Sequence, residues 1–263
     1  MSKHVLVSGV SQGLGLAIAR AVLAQGWTVS GVSRRLSYEY AALQAEHGAR
    51  ARFHLFDLSR TDDVKAELFE KFLPFDLPLH GYVNNAAVAY DDIVTNLDAA
   101  RLRAMYEVNV FAPMMITKYA IRHMLFTRTA GSIVHISSIS VHTGYKGLAM
   151  YASTKGALEA FSKNTAREWG ERGIRSNCIV AGFMETAMTG KLTEELPLSK
   201  PGRIAFNRMG TLHAVSGKKI VRDVIRKTKK ESKSYRILSQ SNYQVTHFAL
   251  KTNNMRSIYQ TQL

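Results

Sequence analysis

Tyr151 and Lys155 stand four residues apart in Tyr-Ala-Ser-Thr-Lys, with Ser138 thirteen residues before the tyrosine. On a helix, residues i and i+4 differ by about 40° in azimuth and about 6 Å in rise, so phenol and ammonium share one face. A free tyrosine has a pKa near ~10, and acid/base work near neutrality calls for lowering it by roughly three units, about 4 kcal/mol. An ammonium about 4 Å away supplies that much at an effective dielectric of ~20, but only about 1 kcal/mol in bulk water. The pair therefore transfers protons only in a partly desolvated cleft. Ser138 would donate a hydrogen bond to the same substrate oxygen and stabilise charge where it develops. Taken alone, Tyr-x-x-x-Lys is an ordinary pair on a helix surface, so its reading depends on its surroundings.

A second group of residues lies at the start of the chain, in Ser8-Gly9-Val10-Ser11-Gln12-Gly13-Leu14-Gly15. Val5-Leu6-Val7-Ser8 reads as a short buried strand, and residues 14–23 have helical apolar spacing. Glycines 9, 13 and 15 in such a turn let the backbone approach a pyrophosphate, with the helix N-terminus supplying amide donors.

The elements that must hold these groups follow from the apolar pattern. Strands are predicted at 26–32, 51–55, 81–83, 132–136 and 175–180, and helices at 99–125 and 150–172. Strands alternating with helices imply a doubly wound α/β domain, a parallel sheet covered on both faces.

The chain has 263 residues, 46% of them hydrophobic, which suits one large domain with a substantial core. No apolar run approaches the roughly eighteen residues that span a bilayer, and no signal peptide is apparent, so a cytoplasmic protein off the membrane is expected. The single cysteine, Cys178, excludes an internal disulfide and reads as core filler. His135 sits in an apolar run and reads as a core histidine, while His142 is either an incidental loop residue or part of a pocket wall. No histidine, cysteine and carboxylate spacing suggests a metal. The net charge of +15 is uneven: residues 211–263 carry +9 and the first 210 carry +6. Only Tyr235 interleaves the basic run, so stacking support for nucleic-acid binding is thin.

With Gly-x-x-x-Gly-x-Gly in the first turn, the sequence resembles the short-chain dehydrogenase/reductase family, whose further motifs recur in order. The resemblance covers residues 4 to about 211. Asp57, followed by Leu58, matches the acidic residue that binds adenine. Asn84-Asn85-Ala86-Ala87 is similar to the family's Asn-Asn-Ala-Gly. Asn109 matches the asparagine that helps hold a proton-relay water. Ser138, Tyr151 and Lys155 match the catalytic trio, with Lys155 both lowering the tyrosine pKa and holding the nicotinamide ribose. Ala181-Gly182-Phe183-Met184-Glu185-Thr186 resembles Pro-Gly-x-x-x-Thr, so Gly182, Met184 and Thr186 are expected beside the nicotinamide amide. The cradle itself is Gly9, Ser11, Gln12, Gly13, Leu14 and Gly15, joined by Asn85 and Ala86. Where an acidic side chain would select NAD(H), the chain has Arg34 and Arg35, which favours NADP(H) through a 2′-phosphate.

The resemblance implies a Rossmann-type domain over residues 1–210 that interconverts a carbonyl and a secondary alcohol. The motif layout is most similar to 3-oxoacyl-[acyl-carrier-protein] reductases, with a small molecule or acyl thioester as substrate. The alternative is a catalytically impaired cofactor-binding or regulatory protein whose basic tail contacts an anionic partner. Residues 211–263 depart from the family: 46 residues after Gly217 contain neither glycine nor proline. A divergent ordered ending, a basic appendage and an altered reading frame each account for this. Loss of the family's seventh strand would leave the sixth as an exposed edge and place a tetramer interface in doubt. A homodimer surface on the helices around 100–125 and 150–170 would survive.

Overall fold

The structure, a computed structural model, describes residues 2–182 and 234–237. Strands β1 (His4–Ser8), β2 (Thr28–Ser33), β3 (Ala51–Leu55), β4 (Gly81–Asn84), β5 (Ser132–Ser138), β6 (Arg175–Ala181) and β7 (Ser234–Ile237) form one sheet. All its pairings are parallel, in the order β3-β2-β1-β4-β5-β6-β7. The helices are α1 (Gly13–Leu23), α2 (Tyr38–His47), α3 (Ala99–Tyr106), α4 (Ala112–Phe126), α5 (Ser140–Thr143) and α6 (Ala149–Trp169).

The core divides by strand alternation. Val5 and Val7 of β1 join Leu16, Ile18 and Val22 of α1, while Leu6 between them joins Leu68, Ile116 and Met124 on the opposite face. Because both faces are covered, β1 reads as an apolar run rather than an alternating one. No helix among the described residues is long and apolar enough to cross a membrane.

Three local features depart from the sequence expectation. Helix α2 carries only Tyr40 and Leu43 inward, too few for a periodic signal. It is fixed instead by Ser37, whose hydroxyl accepts from the Tyr40 N–H at 3.2 Å, and by the Tyr40 hydroxyl, which donates to the Arg52 carbonyl at 2.9 Å. The helix expected at 99–125 is interrupted by a π-wound stretch, Glu107–Phe111, in which Ala112 N–H bonds the Glu107 carbonyl five residues back. Pro113 lacks the N–H that an α-helix would give the Asn109 carbonyl, and the wider turn sits where that bond is missing.

The third departure corrects the expected exposed edge of β6. Strand β7 pairs with it in parallel, Cys178 opposite Ser234 and Ala181 opposite Ile237. Ser-Tyr-Arg-Ile has the aromatic and β-branched residues that suit a strand, and lack of glycine after Gly217 does not prevent a four-residue pairing.

Candidate active site

Connections from the sheet diverge between β1 and β4, and at the carboxyl ends of these strands a cleft of about 860 Å³ opens. Such a switch point is where an open α/β sheet takes its ligand. The wall includes Gly9, Ser11, Gln12, Gly13, Leu14, Arg34, Arg35, Asp57, Leu58, Asn85, Ala86, Ser138, Tyr151, Lys155 and Gly182. Gly15 and Asn109 stand behind it, and Met184 and Thr186 lie outside the described residues.

Gly9 has φ +75°, and a Cβ there would meet Ala86 Cα and Asn85 Nδ2 at 2.9 Å. A Cβ at Gly15 would overlap the Gly9 carbonyl oxygen, so α1 can press against the turn only without side chains. Gln12 precedes α1 without a side-chain cap, and no acidic residue stands in the first turn. The first amides of α1 are therefore open to an anion at the positive end of the helix dipole.

The end of β4 is clipped to this turn. Ser8 Oγ accepts the N–H groups of Asn85 and Ala86, each at 3.1 Å, while Asn85 Nδ2 donates to the Ser8 and Gly9 carbonyls at 3.0 and 3.2 Å. Asn85 thus shapes the cradle with its amide nitrogen. The sequence placed Ser8 at the end of the strand and the start of the turn, but not its clip to the end of β4.

At the far end of the cleft, exposed Arg34 and Arg35 follow β2, and Arg35 Nη2 donates to Gln12 Oε1 at 2.7 Å. Two guanidinium groups thus stand on the cleft wall where β2 ends. Asp57 Oδ1 accepts from Ser59 N–H at 2.9 Å, which fixes the carboxyl at the turn after β3. The shape of the cleft, the glycine cradle and these charges fit a nicotinamide dinucleotide.

At the other end, Lys155 is 2% exposed and its ammonium donates to the Ile136 carbonyl at 2.9 Å. Burial lowers its pKa to about 8. The ammonium lies 5.6 Å from the Tyr151 ring centroid. The Tyr151 phenol is pushed up to about 12, first by burial and then by the Asp91 carboxylate, which also lines the cleft. This reverses the expected direction. Burial is the first cause of both shifts, and neither group stands among the causes of the other's. Asp91 carried no signal in the sequence.

Ser138 Oγ accepts from the Ser140 N–H at 3.2 Å and the Ser140 hydroxyl at 2.9 Å. With both lone pairs engaged, its own proton is left to donate. Asn109, 1% exposed, accepts from Val88 N–H at 2.9 Å and donates to the Val88 carbonyl at 2.8 Å and Thr154 Oγ1 at 3.2 Å. It ties the β4 loop, which lines the cleft, to the helix carrying Tyr151.

His135 is fully buried, with Asn84 Nδ2 3.3 Å from its Nδ1. Cys178 is buried, and burial raises its thiol to about 12, unsuited to nucleophilic work. His142 does not line the cleft but meets Glu159, which the sequence reading passed over although it continues the Tyr151 and Lys155 spacing by four. Among the described residues, no group of three or more His, Cys, Asp or Glu could hold a metal ion.

Comparison with known proteins places the chain in a family. A model of the short chain dehydrogenase family matches residues 3–197. Nodulation protein G of Rhizobium sp. (strain N33) is 35% identical over 212 residues, 80% of this chain and 84% of that protein. A 3-oxoacyl-[acyl-carrier-protein] reductase of Chlamydia pneumoniae is 30% identical over 213 residues, 80% of this chain and 85% of that one. Among solved structures, a short-chain dehydrogenase from Streptomyces avermitilis is similar with a TM-score of 0.70 and 25% identity, over 89% of this chain and 88% of that one. Two others share the fold: ElxO with NADP bound (TM-score 0.71, 23% identity, 90% and 98% covered) and 4-hydroxyisoleucine dehydrogenase complexed with NADH (0.76, 20%, 90% and 97%). With its switch-point cleft, glycine cradle and Ser138, Tyr151 and Lys155 in order, the chain belongs to the short-chain dehydrogenase family of oxidoreductases.

Proposed function

We propose that the protein is an NADP(H)-dependent carbonyl reductase that converts a ketone, such as a 3-oxoacyl thioester, to a secondary alcohol, with Tyr151 as general acid. The observation that carries this reading is that Ser138, Tyr151 and Lys155 line the same cleft as the glycine cradle and Arg34 and Arg35. A nicotinamide bound there supplies the hydride to the carbonyl carbon. Gly13 and Leu14 at the helix N-terminus hold the pyrophosphate, Asp57 and Leu58 the adenine, and the two arginines the 2′-phosphate. Gly182, Met184 and Thr186 are assigned to the nicotinamide amide, and Lys155 to its ribose.

Ser138 donates a hydrogen bond to the substrate oxygen and orients it, keeping its own proton. Tyr151 gives up its phenolic proton as negative charge develops on that oxygen. With a pKa of about 12 the phenol is protonated at neutral pH, the form reduction needs. An alkoxide is comparable in basicity to hydroxide and far more basic than a phenolate, so the transfer is downhill. In the reverse direction Tyr151 must first lose its proton, so oxidation speeds up as pH rises.

Residues 1–210 are assigned to this catalytic domain and 211–263, which supply β7 to its sheet, to a basic C-terminal segment of a cytoplasmic homodimer. NADPH oxidation measured with ketoacyl thioesters and simple ketones tests the activity. Turnover is expected with at least one of them. No turnover alongside intact NADPH binding would instead favour a binding or regulatory protein.

A further inference from the structure

We infer that Glu159 is a positioning residue for Ser138: one buried carboxylate oxygen clamps the chain on both sides of the serine, an assignment that rests on the reductase reading above. Glu159 is 5% exposed and lies on α6, four residues after Lys155 and eight after Tyr151. The same helix face therefore presents acid, ammonium and carboxylate in succession.

Its Oε1 accepts from the Ser137 hydroxyl at 2.6 Å and lies 3.1 Å from His142 Nε2. A carboxylate only accepts, so His142 presents Nε2–H to it. Ser137 immediately precedes Ser138 at the end of β5, and His142 belongs to α5, which begins two residues after it. Ser140, at the start of α5, makes both hydrogen bonds to Ser138 Oγ.

The geometry thus forms a closed path. Glu159 holds His142, α5 holds Ser140, Ser140 fixes the Ser138 lone pairs, and the Ser138 proton is aimed by exclusion. Two other groups from packed elements are occupied or neutral: Lys155 is bonded to Ile136, and the buried Cys178 thiol is held protonated. A buried carboxylate on two donors is expensive to keep and persists where it fixes geometry. Here the geometry is the distance between two groups on different elements, Ser138 on β5 and Tyr151 on α6, that must meet one substrate oxygen.

The test uses the full-length protein with NADPH and the best carbonyl substrate. Glu159→Leu is expected to lower kcat by about 10- to 100-fold, the size of loss a misplacement near 1 Å brings, while the NADPH Kd stays within about two-fold. Glu159→Gln keeps an accepting oxygen for both donors and is expected to recover most of kcat. In a Ser138→Ala background, Glu159→Leu should cost little more, since the residue acts through that serine. Should Glu159→Leu fail to fold, His142→Ala removes half the clamp from a partly exposed position and should lower kcat several-fold alone but not in the Ser138→Ala background.

Wild-type kcat in folded Glu159→Leu, or a loss of the same factor with and without Ser138, would overturn the clamp while leaving the reductase reading intact. A wild-type protein that binds NADPH and reduces no carbonyl removes the reading, and the clamp with it.

Discussion

Lys155→Met separates what the site costs from what it does. The ammonium is buried and its pKa is depressed from 10.5 to about 8, chiefly by desolvation. A shift of that size corresponds to about 3 kcal/mol of preference for the neutral amine in the folded state. The sign is fixed by linkage. Between pH 8 and 10.5 the unfolded chain holds a proton that the folded chain lacks, so wild-type stability rises with pH across that window. It is lower by the full amount below pH 8. Methionine has similar length and no titrating group, so the variant lacks this dependence. At pH 7 the variant sheds about 3 kcal/mol of desolvation cost and forfeits about 1 to 2 kcal/mol for the hydrogen bond to Ile136. It should therefore be about 1 kcal/mol more stable, a Tm rise of about 2–4 °C for a chain of this size. By pH 10 the difference should have reversed, having moved by about 2 to 3 kcal/mol against the variant. Urea unfolding of both proteins at pH 7, 8.5 and 10 measures this directly. A stability difference that stays flat across that range would refute the claim that Lys155 is held as a costly buried cation, and with it the reason its position is functional rather than structural.

Three other outcomes follow from the site. Replacing Arg34 and Arg35 together by Ser should lower kcat/KM for NADPH by about 100-fold, at about 1.4 kcal/mol per charged pair, and leave that for NADH within a few-fold; equal losses would mean the arginines do not meet a 2′-phosphate. Asp91→Asn removes the carboxylate that raises the Tyr151 pKa, so the rise of alcohol oxidation with pH should move to lower pH, and an unmoved profile would exclude that coupling. His135 is held neutral by burial, with its pKa lowered to about 3, so stability is full above pH 6.5 and falls by about 1.4 kcal/mol per unit below it; His135→Gln should remove about 2 kcal/mol of acid destabilisation by pH 5 in urea unfolding.

Much of this site was legible in the sequence because its chemistry is local. The first turn needs Gly9 and Gly15 where a Cβ would strike Ala86 and the Gly9 carbonyl, and a helix repeat fixes Tyr151 and Lys155 on one face. Strands β3 and β6 were legible because β-branched and aromatic residues stand between turn signals. What escaped depends on partners distant in sequence. Tyr40 secures α2 through the Arg52 carbonyl, which periodicity does not register. The π stretch at Asn109 follows from one missing N–H at Pro113, a subtler signal than a broken helix. The direction of the Tyr151 shift was not legible because spacing gives the shared face but not the depth of burial or the Asp91 carboxylate, which set it. Glu159 continued the same spacing by four residues and was legible in principle, though its meaning required knowing that β5 and α5 return to α6.

The most direct measurement is single-turnover reduction by Tyr151→Phe with NADPH binding followed in parallel. Hydride transfer is expected at least about 1,000-fold slower than in wild type, consistent with loss of general-acid catalysis, with an NADPH Kd within about three-fold. Turnover at the wild-type rate would contradict general-acid catalysis by Tyr151.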